Sequence, residues 1–363
     1  MNHDRFSSLD LFRGITVALM FLVNLPGSFD HVFGWLDHAE WHGLTAADFI
    51  FPWFLLCVGA ATPFAIDARR ANGLGDGAIG RTILWRGLML FAIGVVLGWI
   101  LRPRFTLDEI RIAGVLQRIA LVYLATAGLY LLIGARALWL AIVTAMILII
   151  SAWALLALPV PGYGPANLDQ GTNLFAWLDQ HYLPGRLFRK TWDPEGIGGT
   201  VPAIGSALIG LIAAIVARGR AADHRWQGLM LAGAALTLAG LAASHMIPFN
   251  KNLWSSSFVL ITAGAGLCVW GGIERARWRN GFIHGWALTL GQTALTAYIV
   301  HWMLLRILII MIGEHWLGTH IFGVLSSPFA DPRVASLLIG LVYVTLSIAP
   351  MKALKRKNWL IRV

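Results

Sequence analysis

Hydrophobic positions in this chain come in long runs separated by short polar ones. About ten runs approach the roughly 20 residues that a helix needs to cross a bilayer. They are Leu11–Pro26, Thr45–Ile66, Thr82–Leu101, Ile112–Ile133, Leu138–Leu158, Ile197–Ala217, Gln227–Met246, Ser255–Ile273, Ala287–Ile312 and Val334–Met351. The length of the runs is the signal here, more than any periodicity within them. The pattern predicts an all-α fold, a polytopic integral membrane helix bundle of about ten transmembrane helices. One domain is expected over 1–363. The connection at 159–196 is rich in Pro, Gly, Asn and Asp and is expected to form a small cap on the bundle.

Composition supports a membrane protein: 58% of the 363 residues are hydrophobic and 13% charged, against about 45–50% and 25% in soluble domains. Net charge is +10, from 28 Lys and Arg against 18 Asp and Glu. The cations lie in short loops between apolar runs, which excludes nucleic acid as the partner and fits the positive-inside pattern. One set of segments holds Arg5, Arg69, Arg70, Arg81, Arg136, Arg218, Arg220, Arg225, Arg275, Arg277, Arg279 and the tail Lys352, Lys355, Arg356 and Lys357. The alternate set is poorer in cations, and Ser28–Leu44 has none. Cytoplasmic N- and C-termini are therefore expected in a multi-pass membrane protein, with the Leu36–Leu44 loop on the opposite side: periplasm or exterior in a bacterium, lumen in an organelle. Cys57 and Cys268 fall inside apolar runs and supply too few thiols for a Cys-based metal site; no metal is expected. The first run ends in Asn24-Leu25-Pro26-Gly27, not in a small-residue cleavage site.

Chemistry concentrates in Leu36–Phe54. A polar loop with His38, Glu40, Trp41 and His42 enters an apolar run that still carries Asp48 in its first turn. Acids and imidazoles at a bilayer boundary point to function. Thr45 and Asp48 also fit a capping box, whose acid satisfies free N–H groups at a helix start.

Other polar residues sit where lipid would be. Asn24 closes the first run, either as a helix-ending turn or as a donor into the same outer cavity as His38. Gln117 and Arg118 lie near the outer end of the fourth run, where a buried arginine must face protein or water. Pairing of Arg118 with Asp48, Asp193 or Glu195 is one expectation. Asp193 and Glu195 immediately precede the sixth run and suit a helix N-terminus. Lys251, Asn252 and Trp254 return polar groups to the outer side. His301 lies mid-run, where packing is the commoner role. At the inner face Arg13 stands in a first helical turn, where a cation needs an anion nearby; lipid headgroups or a phosphate-bearing ligand would each supply one.

In order, the blocks Ser8-Leu9-Asp10-Leu11-Phe12-Arg13-Gly14, Leu22-Val23-Asn24, His38-Ala39-Glu40-Trp41-His42-Gly43-Leu44-Thr45-Ala46-Ala47-Asp48, Phe51-Pro52-Trp53-Phe54, Gly114-Val115-Leu116-Gln117-Arg118, Asp193-Pro194-Glu195-Gly196 and Asn250-Lys251-Asn252-Leu253-Trp254 make a specific set. The chain resembles the heparan-α-glucosaminide N-acetyltransferase family of transmembrane acyltransferases, including its bacterial members, from about residue 7 to about residue 302. The resemblance implies transfer of an acetyl group from cytoplasmic acetyl-CoA, a co-substrate, to the amine of a glucosamine-type sugar on the outer side. It implies that His38 is the catalytic histidine, Asn24 its partner and Asp48 the outer aspartate. The animal lysosomal enzyme carries an additional luminal region, and His42 stands where that enzyme has asparagine; these differences bear on the acceptor.

Imidazole near neutral pH can deprotonate the acceptor or carry the acyl group. Asn24 can donate to the oxyanion, and Asp48 can orient the imidazole or hold the amine. Arg13, Arg81, Arg86, Gln117 and Arg118 are the expected cofactor-binding set. Trp41, His42, Asp193, Glu195, Lys251, Asn252, Trp254 and His301 are the expected substrate-binding set. The bilayer, acetyl-CoA and a small sugar acceptor are the expected partners, with a homodimer as the assembly. Two other readings remain: a transporter of an amino sugar through the same cavity, with Pro52 supplying a helix break, and an O-acyltransferase of an envelope glycan.

Overall fold

The computed structural model describes residues 7–101, 106, 109–276, 281–312 and 322–361. Arg5, Arg277 and Arg279 of the loop cations lie outside the described residues. Among those described there is no β-strand, only three isolated bridges. The helices are α1 (Ser7–Asn24), α2 (Ile50–Ala71, led in by a tight turn over Ala46–Phe49), α3 (Asp76–Ile100), α4 (Val115–Ile133) and α5 (Ala137–Ala157). They continue with the short α6 (Leu174–Tyr182), then α7 (Ile197–Arg218), α8 (Arg225–Ala243), α9 (Ser256–Ala276), α10 (Phe282–Gln292) and α11 (Ala294–Ile312). The last three are α12 (Phe322–Ser326), α13 (Pro332–Leu346) and α14 (Ile348–Arg356). Nine described segments are long and apolar enough to cross a membrane, with α13 and α14 together making one of them. A tenth is counted if α10 and α11 form one span.

That last span is not the continuous helix the apolar run over Ala287–Ile312 suggests: α10 and α11 meet at 86°. The cause is local. Thr293 Oγ1 donates back to Thr289 O (2.9 Å), a bond that bends helices. Arg13 Nε donates to Gly291 O (2.6 Å). A side chain of α1 thus serves a carbonyl at the break, as backbone inside a membrane requires.

Small residues let the central helices touch backbone to backbone, the usual way membrane helices associate. A Cβ on Gly59 of α2 would fall 1.7 Å from Ala207 O, and one on Gly210 of α7 would fall 2.1 Å from Leu56 O. The crossing of α1 with α10 is built the same way, Gly14 against Ala287 and Gly291 against Asp10. The shared core draws on α1, α2, α4, α7 and α9, with Phe12, Leu55, Leu56, Trp254 and Phe258 nearly solvent-free. These helices bring together Asn24, the Asp48 turn, and the starts of α4, α7 and α9.

The 159–196 segment packs against the start of α7. Its α6 presents Asp179, which accepts from Asp193 N (3.2 Å) and Ile197 N (2.9 Å). The acid capping α7 is thus Asp179, fourteen or more residues upstream, and not Asp193 or Glu195.

Candidate active site

Asp48 is fully buried, and its two oxygens serve different partners. Oδ2 accepts from Ala39 N (3.2 Å), Thr45 N (3.1 Å) and Thr45 Oγ1 (3.1 Å). Oδ1 lies 2.8 Å from His38 Nδ1. The capping contacts of Thr45-x-x-Asp48 therefore fall on one oxygen, and the contact with His38 falls on the other. A carboxylate on Nδ1 holds the proton there and turns the Nε2 lone pair outward.

Lys251 arrives from the turn before α9. Its Nζ lies 3.0 Å from His38 Nδ1, 3.1 Å from His38 Nε2 and 3.6 Å from Asp48 Oδ1. Burial pushes the Lys251 ammonium down, opposed by Asp48 and Glu195. The turn is knitted by Asn250, whose Oδ1 accepts from Leu253 N (2.8 Å), and by Ser255, whose Oγ donates to Pro248 O (2.8 Å). Trp254 takes a left-handed backbone (φ 51°), uncommon outside glycine. Its indole donates to Ser206 Oγ (3.1 Å) and packs edge-on to Phe51 and Phe258. That packing holds the turn in place.

His38, Asn24, Lys251, Asn252 and Glu195 line one cavity of about 1290 Å³. The same cavity is lined by Arg13, Arg86, Tyr123 and Gln292. Arg86 and Leu101, both on its wall, are fifteen residues apart along α3, so it runs roughly 20 Å through the bundle at 1.5 Å per residue.

The arginines divide the work differently from the expectation. Arg118 is 1% exposed, but its partners are Gly196 O (3.2 Å), Thr200 Oγ1 (3.3 Å) and the face of Trp254 (5.0 Å). The expected acids are held instead by Arg111, through Asp193 (Nε to Oδ2, 2.7 Å) and Glu195. These two acids hold the Arg111 guanidinium charged and raise its pKa against the pull of burial. Arg111 also lines the cavity. Sequence reasoning passed over it because it lies in an irregular segment before α4, 82 residues from Asp193.

At the other end Arg13 finds its anion inside the chain, Asp10 Oδ1 at 2.5 Å. Arg86 lies 5.5 Å over the Tyr123 ring, and its buried Nε has no hydrogen-bond partner. Arg81 is exposed and is not on the cavity wall. Gln117 is on the wall, its side chain filling notches left by Gly94 and Gly114.

Five of the expected substrate contacts are not on the cavity wall: Asp193, held by Arg111, and four others. Trp41 donates to Leu168 O (2.8 Å) and packs on Trp192, tying the loop to the cap. His42 Nδ1 lies 3.2 Å from Asn250 Nδ2, and burial lowers its pKa. Trp254 is beneath Arg118. His301 is stacked on Phe21 (4.6 Å) with Nδ1 2.9 Å from Tyr343 Oη; its neighbours Tyr298 and Trp302 reach the cavity instead. Helical rotation explains this: Tyr298 and Trp302 are four apart and share a face, and His301, one residue before Trp302, is turned about 100° from it.

A buried carboxylate and a part-exposed imidazole thus meet at one end of a cavity about 20 Å long, with Arg13 and Arg86 at the other. Residues 5–240 match the family model described as heparan-alpha-glucosaminide N-acetyltransferase, catalytic. The chain belongs to that family. It is 31% identical to the human heparan-alpha-glucosaminide N-acetyltransferase over 312 residues, covering 70% of this chain and 46% of the human one. To the mouse protein of the same name it is 28% identical over 316 residues, covering 70% and 47%. The chain spans about half the length of the curated relatives it matches. Lys251 and His301 lie beyond the residues matched by the family model.

Proposed function

We propose that this protein is a transmembrane N-acetyltransferase that moves an acetyl group from acetyl-CoA to the amine of a glucosamine-type sugar on the opposite side of a bacterial inner membrane. The observation that carries this reading is the single cavity shared by His38 and Arg86. The CoA nucleotide would enter at the Arg86 and Arg13 end, where α2 and α7 also end, in Arg70 and Arg218 with their shared partner Asp67. That end is cytoplasmic by the positive-inside pattern. The pantetheine arm follows the apolar wall of α3 and α4 and brings its thioester to His38.

His38 Nε2 then acts as base on the acceptor ammonium or as the group that takes the acetyl. In either case Asp48 holds the Nδ1 proton and balances the charge that develops on the ring. Asn24 donates to the carbonyl oxygen as it becomes tetrahedral. Glu195 and Asn252, on the same wall, bind the sugar acceptor. Purified protein in detergent with acetyl-CoA and glucosamine should release free thiol and N-acetylated sugar in equal amounts. Absence of both products overturns the reading.

The 86° break between α10 and α11 favours one other reading, a solute transporter, because transporters place broken helices at their binding sites. Such a protein moves the sugar and leaves the thioester uncleaved, so the same assay separates the two. An envelope-glycan O-acyltransferase would release thiol with a hydroxyl acceptor and not with the amine.

A further inference from the structure

Lys251 has a placement that acceptor binding alone does not explain. Its Nζ is nearly equidistant from both ring nitrogens of His38, at 3.0 and 3.1 Å. An atom so placed lies over the ring face, and not along the axis of either lone pair. The Nε2 lone pair therefore stays open to the cavity, with an ammonium beside it. Asp48 Oδ1, at 3.6 Å, keeps that ammonium at the site. The turn over Asn250–Ser255 and the left-handed Trp254 hold the lysine backbone rigidly, so the approach is built in.

Resting on the acetyltransferase reading, we infer that Lys251 is a catalytic acid that protonates the departing thiolate at His38. When the thioester carbonyl is attacked at this site, the C–S bond breaks and its electron pair leaves on sulfur. A Lys251 N–H supplies the proton that turns this thiolate into a free thiol. The acceptor ammonium loses two protons on becoming an amide. One restores Lys251 and the other passes by way of His38 to water, so one proton is released per turnover. Burial, aided by the charge of Arg118 and opposed by Asp48 and Glu195, lowers the Lys251 pKa, which suits a lysine that must give up and regain a proton.

The leaving group supplies the test. Two small acetyl donors are compared, both lacking the nucleotide: S-acetyl-N-acetylcysteamine, an alkyl thioester, and S-(4-nitrophenyl) thioacetate, whose arylthiolate departs without a proton. Lys251→Met should lose about 100-fold or more with the alkyl donor and less than about 10-fold with the aryl donor. Lys251→Arg keeps the charge against Asp48 but holds its proton too tightly to act as acid, so it should show the same donor-dependent loss in a protein that folds normally. Equal losses on both donors, or none, overturn the assignment while wild-type cleavage of both leaves the acetyltransferase reading standing. Wild-type protein that cleaves neither these donors nor acetyl-CoA overturns that reading and the role of Lys251 together.

Discussion

His38 Nδ1 lies 2.8 Å from Oδ1 of Asp48, a carboxylate that has no exposed surface. The other oxygen of the same group closes the turn that begins α2. One acid therefore sets both the backbone that starts the helix and the tautomer of the imidazole above it.

His38→Ala should lower thioester-dependent acetylation by roughly 10²–10⁴-fold. Folding should survive, because the ring is 43% exposed and the loop backbone stays held by Asp48 Oδ2. Asn24→Ala should reduce kcat by about 10²–10³-fold if it serves the oxyanion. Turnover assays beside thermal melts check both; near wild-type turnover in His38→Ala refutes the site.

Asp48→Asn separates capping from chemistry. The amide oxygen can still accept from Thr45 N and Ala39 N, leaving NH2 toward His38 Nδ1. That forces the ring proton onto Nε2, the wrong tautomer. A loss of about 10²-fold or more in kcat is expected with a melting temperature close to wild type. A collapse in melting would make the cap the dominant role.

Arg86→Gln should weaken acetyl-CoA by a charge-assisted phosphate contact, on the order of 1.5–3 kcal/mol. The KM for S-acetyl-N-acetylcysteamine, which carries no phosphate, should stay unchanged. Arg13→Ala is expected to act mainly on stability, since Arg13 already bonds Asp10 and the Gly291 carbonyl. A shift in KM with both donors would move Arg86 out of phosphate binding.

Asp179 gives the cap a pH signature. Burial lifts its carboxyl from 3.8 to about 7. A folded pKa above the unfolded one contributes stability that is complete below about 4 and is lost as pH rises towards 7. Asp179→Asn removes this loss. Its melting temperature relative to wild type should rise between pH 4 and pH 7; a pH-independent difference would show that Asp179 ionises freely.

The crossing of α2 and α7 tolerates no side chain at Gly59, where a Cβ would meet Ala207 O. Gly59→Val should cost at least about 1–3 kcal/mol, the usual penalty of overpacking, and lower the yield of monodisperse protein. Gly272→Ala, with open space around it, should be within about 0.5 kcal/mol of wild type. Similar melts for the two would mean that the helices separate freely.

The sequence alone determined the features that act over short stretches. Span length follows from the thickness of a hydrocarbon layer, so the apolar runs located the long helices to within about six residues, the bent α10–α11 pair excepted. Thr45, Asp48 and His38 lie within ten residues, and a capping motif beside an imidazole is readable at that range. What tertiary structure decided depends on partners far apart in the chain. Lys251 meets His38 across 213 residues, and Arg111 takes the acids that Arg118 was expected to hold. The Gly291 carbonyl at the helix break is served by Arg13, a side chain from α1. His301 turned away from the cavity because helix rotation is set by packing against Phe21 and Tyr343. An apolar run fixes how long a helix is, and only its neighbours determine which way it faces.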